Sequence, residues 1–353
     1  MASKINIIKQ DVPIDLCASL NRVKKYQLLS IFVLAFIVVA PTFIIETPKN
    51  QDVYLVGYYK SNSNITVLWK NGIAQNLNDE NMPAMASCIY VSDDDVYVAG
   101  WGTSTEKKRV AMLWKNGTAQ VLTDSNSMAT SVFVLGDDVY VAGVERDMHR
   151  KQTAMLWKNG IAQNLPGGKS GSRANSIFVS ENDVYVAGVG MEDGRGVAIL
   201  WKNGIVQTLN EGRRGSSANS VFVSGNDVYV AGYEANDISG LPVATLWKNG
   251  ISQNLTDGRD FAYAISVYVV GNDVYVAGSE GNYRDRRRNG AMLWKNGVMK
   301  KFSNDTGLDM ESVFVSGNDV YFLAAGMFWK NGKLQIFDKK KEAFFYSVFV
   351  TNP

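Results

Sequence analysis

The chain has 353 residues, with 36 Lys+Arg against 34 Asp+Glu and a net charge of +2, so it lacks the field that draws a protein to nucleic acid or gathers acidic substrates. Glycine (32) far outnumbers proline (7), tyrosine (16) and tryptophan (8) are plentiful, and valine recurs in short runs. That is the profile of many short strands joined by turns, an all-β chain.

In chain order, the first element is the stretch 27–45, QLLSIFVLAFIVVAPTFII, which is apolar and carries no charge. As a helix it spans roughly 28 Å, close to the hydrocarbon thickness of a bilayer. Arg22, Lys24 and Lys25 precede it and Glu46 follows, so the excess of positive charge assigns 1–26 to a cytoplasmic tail, 27–45 to a transmembrane signal-anchor helix in a cell membrane, and the remainder to the periplasmic or extracellular side. The competing reading is a cleaved signal peptide. The best small-residue site ends at Ala40 with Pro41 directly after it, a poor place for a peptidase to cut. The two cysteines, Cys17 and Cys88, lie on opposite sides of this segment, which argues against a disulfide between them.

After a linker at 46–51 the chain repeats with a period of about 45 residues as far as residue 350. WKNG begins at Trp69, Trp114, Trp157, Trp201, Trp247, Trp294 and Trp329. Asp-Val-Tyr begins at Asp52, Asp95, Asp138, Asp183, Asp227, Asp273 and Asp319. A serine before apolar residues begins a third signature at Ser87, Ser131, Ser176, Ser220, Ser266, Ser312 and Ser347. Each unit reads as four strands: in the fourth, A is SIFV, B is DVYVAG, C is VAILWK and D is IVQTL. A three-residue polar turn (Ser180, Glu181, Asn182) joins A to B. Asn203-Gly204 joins C to D in a type I′ hairpin, where both residues need positive φ. Strand B is apolar at consecutive positions, so both of its faces are buried, as in sheets stacked radially around an axis. The repeats begin at a strand B and end with a lone strand A from Ser347, so the last strand completes the first blade. The expected fold is a seven-bladed β-propeller closed by its C-terminal strand and preceded by one transmembrane helix, with 351–353 as a short end.

The stretch ANSVFVSGNDVYVAG, Ala218 to Gly232, resembles the strand, Gly-Asn turn and Val-Tyr-Val strand of the bacterial β-propeller repeat families of the SBBP and NHL type. The resemblance covers 52–350 and implies architecture only, since those families host unrelated functions.

The A–B and C–D turns are nearly invariant and lie on one face, whereas the B–C and D–A connections vary and lie on the other, making the variable face the candidate binding surface. The linker reaches at most about 20 Å, which turns the invariant face toward the membrane. The residues before the strand A serines, namely Ala86, Thr130, Asn175, Asn219, Ile265, Glu311 and Tyr346, are expected to ring the channel mouth. Aromatic and basic residues of the same face, Tyr58, Trp101, Tyr233, Tyr263, Tyr283, Arg284 and Arg286, join Asn175, Asn219, Glu311 and Tyr346 as candidates for contact with a ligand. The repeated tryptophans read as inter-blade packing, and the repeated Asp and Lys as seven exposed pairs such as Asp183 with Lys202. Seven serines cannot each have a base, because His149 is the sole histidine. The acidic turn Asp93–Asp95 lacks a calcium-loop motif. No cofactor or metal is expected. The pattern points to a membrane-anchored module that binds a protein or glycan, the alternatives being an enzyme acting on extracytoplasmic polysaccharide and a structural repeat protein without a small-molecule site.

Overall fold

The computed structural model describes residues 51–59, 65–78, 82–209, 215–281, 289–301, 310–324, 326–335 and 343–351. The chain divides into two compact units, Met1–Thr47 and Pro48–Pro353. The expected anchor and its preceding tail lie outside the described residues, among which no helix is long and apolar enough to cross a membrane.

Among the described residues, twenty-eight strands form seven four-stranded antiparallel sheets, a seven-bladed propeller. In the fourth blade the strands run Gly171–Ser180, Asp183–Glu192, Arg195–Lys202 and Ile205–Thr208 from the axis outward. The second strand serves two interfaces. Val186 packs with Trp201 against Tyr140, Ala142, Leu156 and Leu165 of the preceding blade. Tyr185 and Ala187 face the next blade, against Ala218, Val221 and Trp247. This double burial is why the strand carries no polar alternation. Six of the repeated tryptophans are almost wholly buried between blades, while Trp329 of the short last blade is half-buried and stacks on Phe322 at 5.8 Å.

The invariant face is built from the repeat itself. Every Asn-Gly of WKNG has φ of 50–53° at Asn and 77–83° at Gly, the backbone of a type I′ hairpin. That geometry aims the asparagine back across the sheet. Asn203 Oδ1 accepts from Val184 N at 2.8 Å, and its Nδ2 donates to Asp183 Oδ1 at 2.7 Å. Lys202 Nζ lies 2.7 Å from Asp183 Oδ2. The expected Asp–Lys pair forms in all seven blades at 2.6–2.9 Å. In each, the hydrogen bond from lysine and then that from asparagine hold the aspartate below the usual carboxylate range. Asp95 of the acidic turn is engaged in this way with Lys115 and Asn116.

The A–B turn differs from expectation. Ser180 pairs with Asp183, so the loop is two residues, Glu181 and Asn182, and the inner strand runs one residue farther. The first turn residue takes positive φ, 54° at Glu181 and 56–58° at Gly136, Gly225, Gly271 and Gly317, which is why glycine recurs there.

Closure follows the expected route. Ala343–Val350 pairs with Val53–Tyr59 as the innermost strand of the first blade, with Phe345, Val348 and Val350 buried behind it.

Candidate functional site

Each inner strand carries one extra residue. Ala174 pairs with Gly188 and Ser176 with Ala187, leaving Asn175 bulged out of the ladder. The glycine opposite makes room: a Cβ on Gly188 would collide with the Arg173 carbonyl and the Trp201 ring. Gly57, Gly100, Gly143, Gly232 and Gly278 hold the same place in their blades against the matching carbonyls. The bulged residues are Ser87, Thr130, Asn175, Asn219, Ile265, Glu311 and Tyr346.

This corrects the expected ring at one position. Ala86 is fully buried and paired with Gly100, and Ser87 is the bulged residue at the mouth. The serine signature slips by one there, and Cys88 occupies the place that serine fills elsewhere. Those serines form a belt one step deeper, where Ser131, Ser176, Ser220, Ser266 and Ser347 each accept from an amide of the next blade, as in Ser131 Oγ from Ile177 N and Ser176 Oγ from Val221 N, both at 3.2 Å. Cys88 Sγ lies 3.9 Å from Ser131 Oγ, and burial pushes its thiol up.

Above the belt the bulged side chains line a cavity of about 520 Å³ that includes Ser87, Thr130, Asn175, Asn219, Ile265 and Glu311. Several also tie blades together: Asn175 Nδ2 donates to Ala218 O and Asn219 Nδ2 to Ala264 O, both at 2.9 Å, and the Thr130 hydroxyl lies 3.0 Å from Ala174 O. Tyr233 and Tyr263 reach the same cavity as an edge-on pair at 5.0 Å, and burial pushes the Tyr233 hydroxyl up.

Arg173, two residues before the bulge, also lines the cavity. Its guanidinium is half-buried and its Nε has no hydrogen-bond partner. Burial, and then the neighbouring Arg146, push its pKa down. No repeat signature marks it, because the equivalent position varies from blade to blade, being Met85 and Met128 in the preceding blades and Ser217 and Tyr263 in the following ones.

Of the expected ligand residues, Asn175, Asn219, Tyr233, Tyr263 and Glu311 meet in this cavity. Tyr346 lies close to Glu311: burial, then Tyr58 and Glu311, raise its hydroxyl pKa. Tyr58 is held between Phe344 at 5.1 Å and Tyr346 at 5.7 Å. Trp101 stands apart beneath the Arg109 guanidinium, 4.1 Å from its ring. Tyr283, Arg284 and Arg286 lie outside the described residues. His149 is exposed in a turn where its amide bonds Asp147.

Below the belt the channel is of another character. Tyr90, Phe133, Phe178, Phe222, Tyr268, Phe314 and Phe349, one per blade, form a closed collar with neighbouring centroids 4.6–5.2 Å apart. They line a second cavity of about 540 Å³.

No family model and no curated protein matches the chain. Among solved structures it is similar to the computationally designed Ika8 protein, at 16% identity and a TM-score of 0.44, over 83% of this chain and 90% of that one. It is similar to TolB from Acinetobacter baumannii at 12% identity and 0.44, over 72% of this chain and 64% of TolB. The acylaminoacyl peptidase of Pyrococcus horikoshii follows at 13% identity and 0.45, over 74% of this chain and 46% of the peptidase. These likenesses carry no functional information, and the propeller assignment stands on the seven sheets themselves.

Proposed function

We propose that the chain is a membrane-anchored extracytoplasmic binding module that takes a carboxylate-bearing saccharide in the channel mouth. The observation that carries this reading is Arg173, a half-buried guanidinium whose Nε lacks a partner at the edge of a cavity of about 520 Å³. A buried cationic donor left unmade is costly, and a carboxylate satisfies it with paired, charge-assisted hydrogen bonds. The volume falls in the range of small-ligand pockets. The Tyr233–Tyr263 pair offers ring surface to the carbon face of a sugar, and Asn175 and Asn219 offer amide groups to its hydroxyls. Export and anchoring are supported by the apolar stretch 27–45 and the basic residues before it.

The enzymatic alternative needs two carboxylates flanking a glycosidic bond. Among the described residues that line the cavity, Glu311 is the one carboxylate.

The test is a glycan array probed with the full chain, followed by calorimetry on the acidic saccharides that bind. Uronic or sialic acid-type ligands should exceed their neutral counterparts, and Arg173→Gln should weaken binding by at least about tenfold, the scale of a lost charge-assisted bond. Equal binding of neutral sugars, or an Arg173→Gln protein with unchanged affinity, would overturn the reading.

A further inference from the structure

Arg173 has company on the variable face. Arg146 ends the second strand of the third blade and Arg109 begins the third strand of the second, in the two blades on the other side of Arg173 from Tyr233 and Tyr263. Arg109 and Arg146 line one narrow cleft with Asn126 and Met128, and Met128 also lines the mouth beside Arg173. The three guanidiniums therefore follow one another from the mouth to the rim. The backbone gives the scale. A Cβ on Gly171 would meet the Gln152 carbonyl at 2.8 Å, and Gln152 is the ladder partner of Arg146. Arg173 follows Gly171 by two residues. At about 4.8 Å between strands and about 3.3 Å per residue, the Cα atoms of Arg146 and Arg173 stand on the order of 10 Å apart, and the charge of Arg146 helps to push the Arg173 pKa down.

None of these charges is neutralised within the protein. Among the described residues no carboxylate pairs with Arg109, Arg146 or Arg173, whereas the repeated lysines of the invariant face each hold an aspartate. The acids beside them in sequence are engaged elsewhere: Glu106 holds Lys108 at 2.6 Å, and Asp147 accepts from the amides of His149 and Lys151 at 2.8 and 2.9 Å. Glu145 projects from the opposite face of its strand from Arg146. Neutral groups brace the two exposed arginines instead. Arg109 lies over the Trp101 ring, 4.1 Å from its centroid, a stack that occupies the face of the guanidinium and leaves its edge of N–H groups outward. Gln152, with its amide oxygen turned to Arg146, accepts from Nη2 at 2.9 Å and Nε at 3.1 Å, which leaves the Nη1–Nη2 end open. Guanidiniums held in this way lose less freedom when a carboxylate arrives.

Given the saccharide reading of the mouth, on which this rests, we infer that the ligand is a segment of a linear acidic polysaccharide whose successive carboxylates engage Arg173, Arg146 and Arg109 in turn. One acidic sugar satisfies Arg173 alone. Two more cations in line, repelling each other until they are neutralised, match charges repeated along a single chain.

Full-length protein in lipid nanodiscs would be titrated calorimetrically with uronate oligomers of one to six residues in the galacto, manno and gluco series, with their methyl esters, and with thymidylate oligomers of equal charge. In at least one series affinity should rise by about tenfold from monomer to tetramer, the scale of two exposed ion pairs, and the gain should shrink as salt is raised. The Arg109→Gln, Arg146→Gln double variant, altered only at exposed side chains, should lose most of that gain, whereas Arg173→Gln should weaken every length. An equal gain from the methyl esters, a gain that survives the double variant, or thymidylate bound as tightly as the uronates would overturn the polymer assignment. Monomer binding that does not improve with length would overturn it while leaving the saccharide reading intact; failure of every acidic sugar to bind would overturn both.

Discussion

Asp52 and Thr351, 299 positions apart, are clasped by hydrogen bonds: Asp52 N donates to Thr351 Oγ1 at 2.9 Å, Thr351 N donates to Asp52 O at 3.0 Å, and the Thr351 hydroxyl reaches the same carbonyl at 3.5 Å. The pair fastens the last strand to the first, so the propeller has no open strand edge at its seam.

Deleting residues 347–353 removes this clasp together with Val348 and Val350, each buried and worth roughly 1.5–3 kcal/mol. The melting temperature should fall by more than about 10 °C, and the freed edge of Val53–Tyr59 should promote self-association. Calorimetry and light scattering on the truncated chain check this; an unchanged melt would contradict closure by this strand.

Trp201 and Trp329 occupy the same place in the repeat but not the same environment. Trp201 is fully enclosed by the preceding blade, whereas Trp329 is half-buried. Trp201→Ala should cost about 3–5 kcal/mol and Trp329→Ala clearly less, as read from urea unfolding of the two variants side by side.

Two glycines should fail for different reasons. Gly188→Ala drives a Cβ into the Arg173 carbonyl, and because backbone cannot swing away the cost should reach about 2–3 kcal/mol. The same push displaces Arg173 and should weaken saccharide binding. Gly225→Ala meets nothing within 4 Å, but φ there is +57°, so the cost is only about 1 kcal/mol and binding should persist. If the two variants behave alike, the bulge does not depend on its facing glycine.

Acid should loosen the invariant face. The aspartates paired with lysine titrate below their usual value, so their contribution is complete above the unfolded pKa near 3.9 and is lost as pH falls through the folded one. A variant combining Asp138→Asn, Asp183→Asn and Asp227→Asn should be less stable than the parent at pH 6. The two melting curves should converge as pH drops from about 4 to 2. Parallel curves over that window would show that the pairs are energetically silent.

Blade number and the Asn-Gly hairpins were legible because each is written seven times, and closure because the repeats start at a second strand and end on a lone first one; a repeated residue such as Trp201 or Asn203 has to serve the scaffold. The mouth was harder to read. Ser87 and Cys88 form a pair in which the bulge, not the residue type, decides which stands at the mouth and which joins the belt, and a bulge has no signature beyond the glycine opposite it in six blades, a place taken by Ala324 in the seventh. Arg173 was overlooked because it falls outside every repeated motif. The collar was hidden differently: Phe178 lies between buried Ile177 and Val179 and reads as one more core residue. Its exposure to the channel follows from strand alternation, since it shares a side with the serine two residues earlier.

The bulged position has a wider consequence. Because it belongs to no ladder pair, its side chain can change from serine to isoleucine to glutamate around the ring while the sheets stay alike. The propeller thus behaves like a seven-pin lock barrel, in which each pin can be recut alone to fit a new key without recasting the housing.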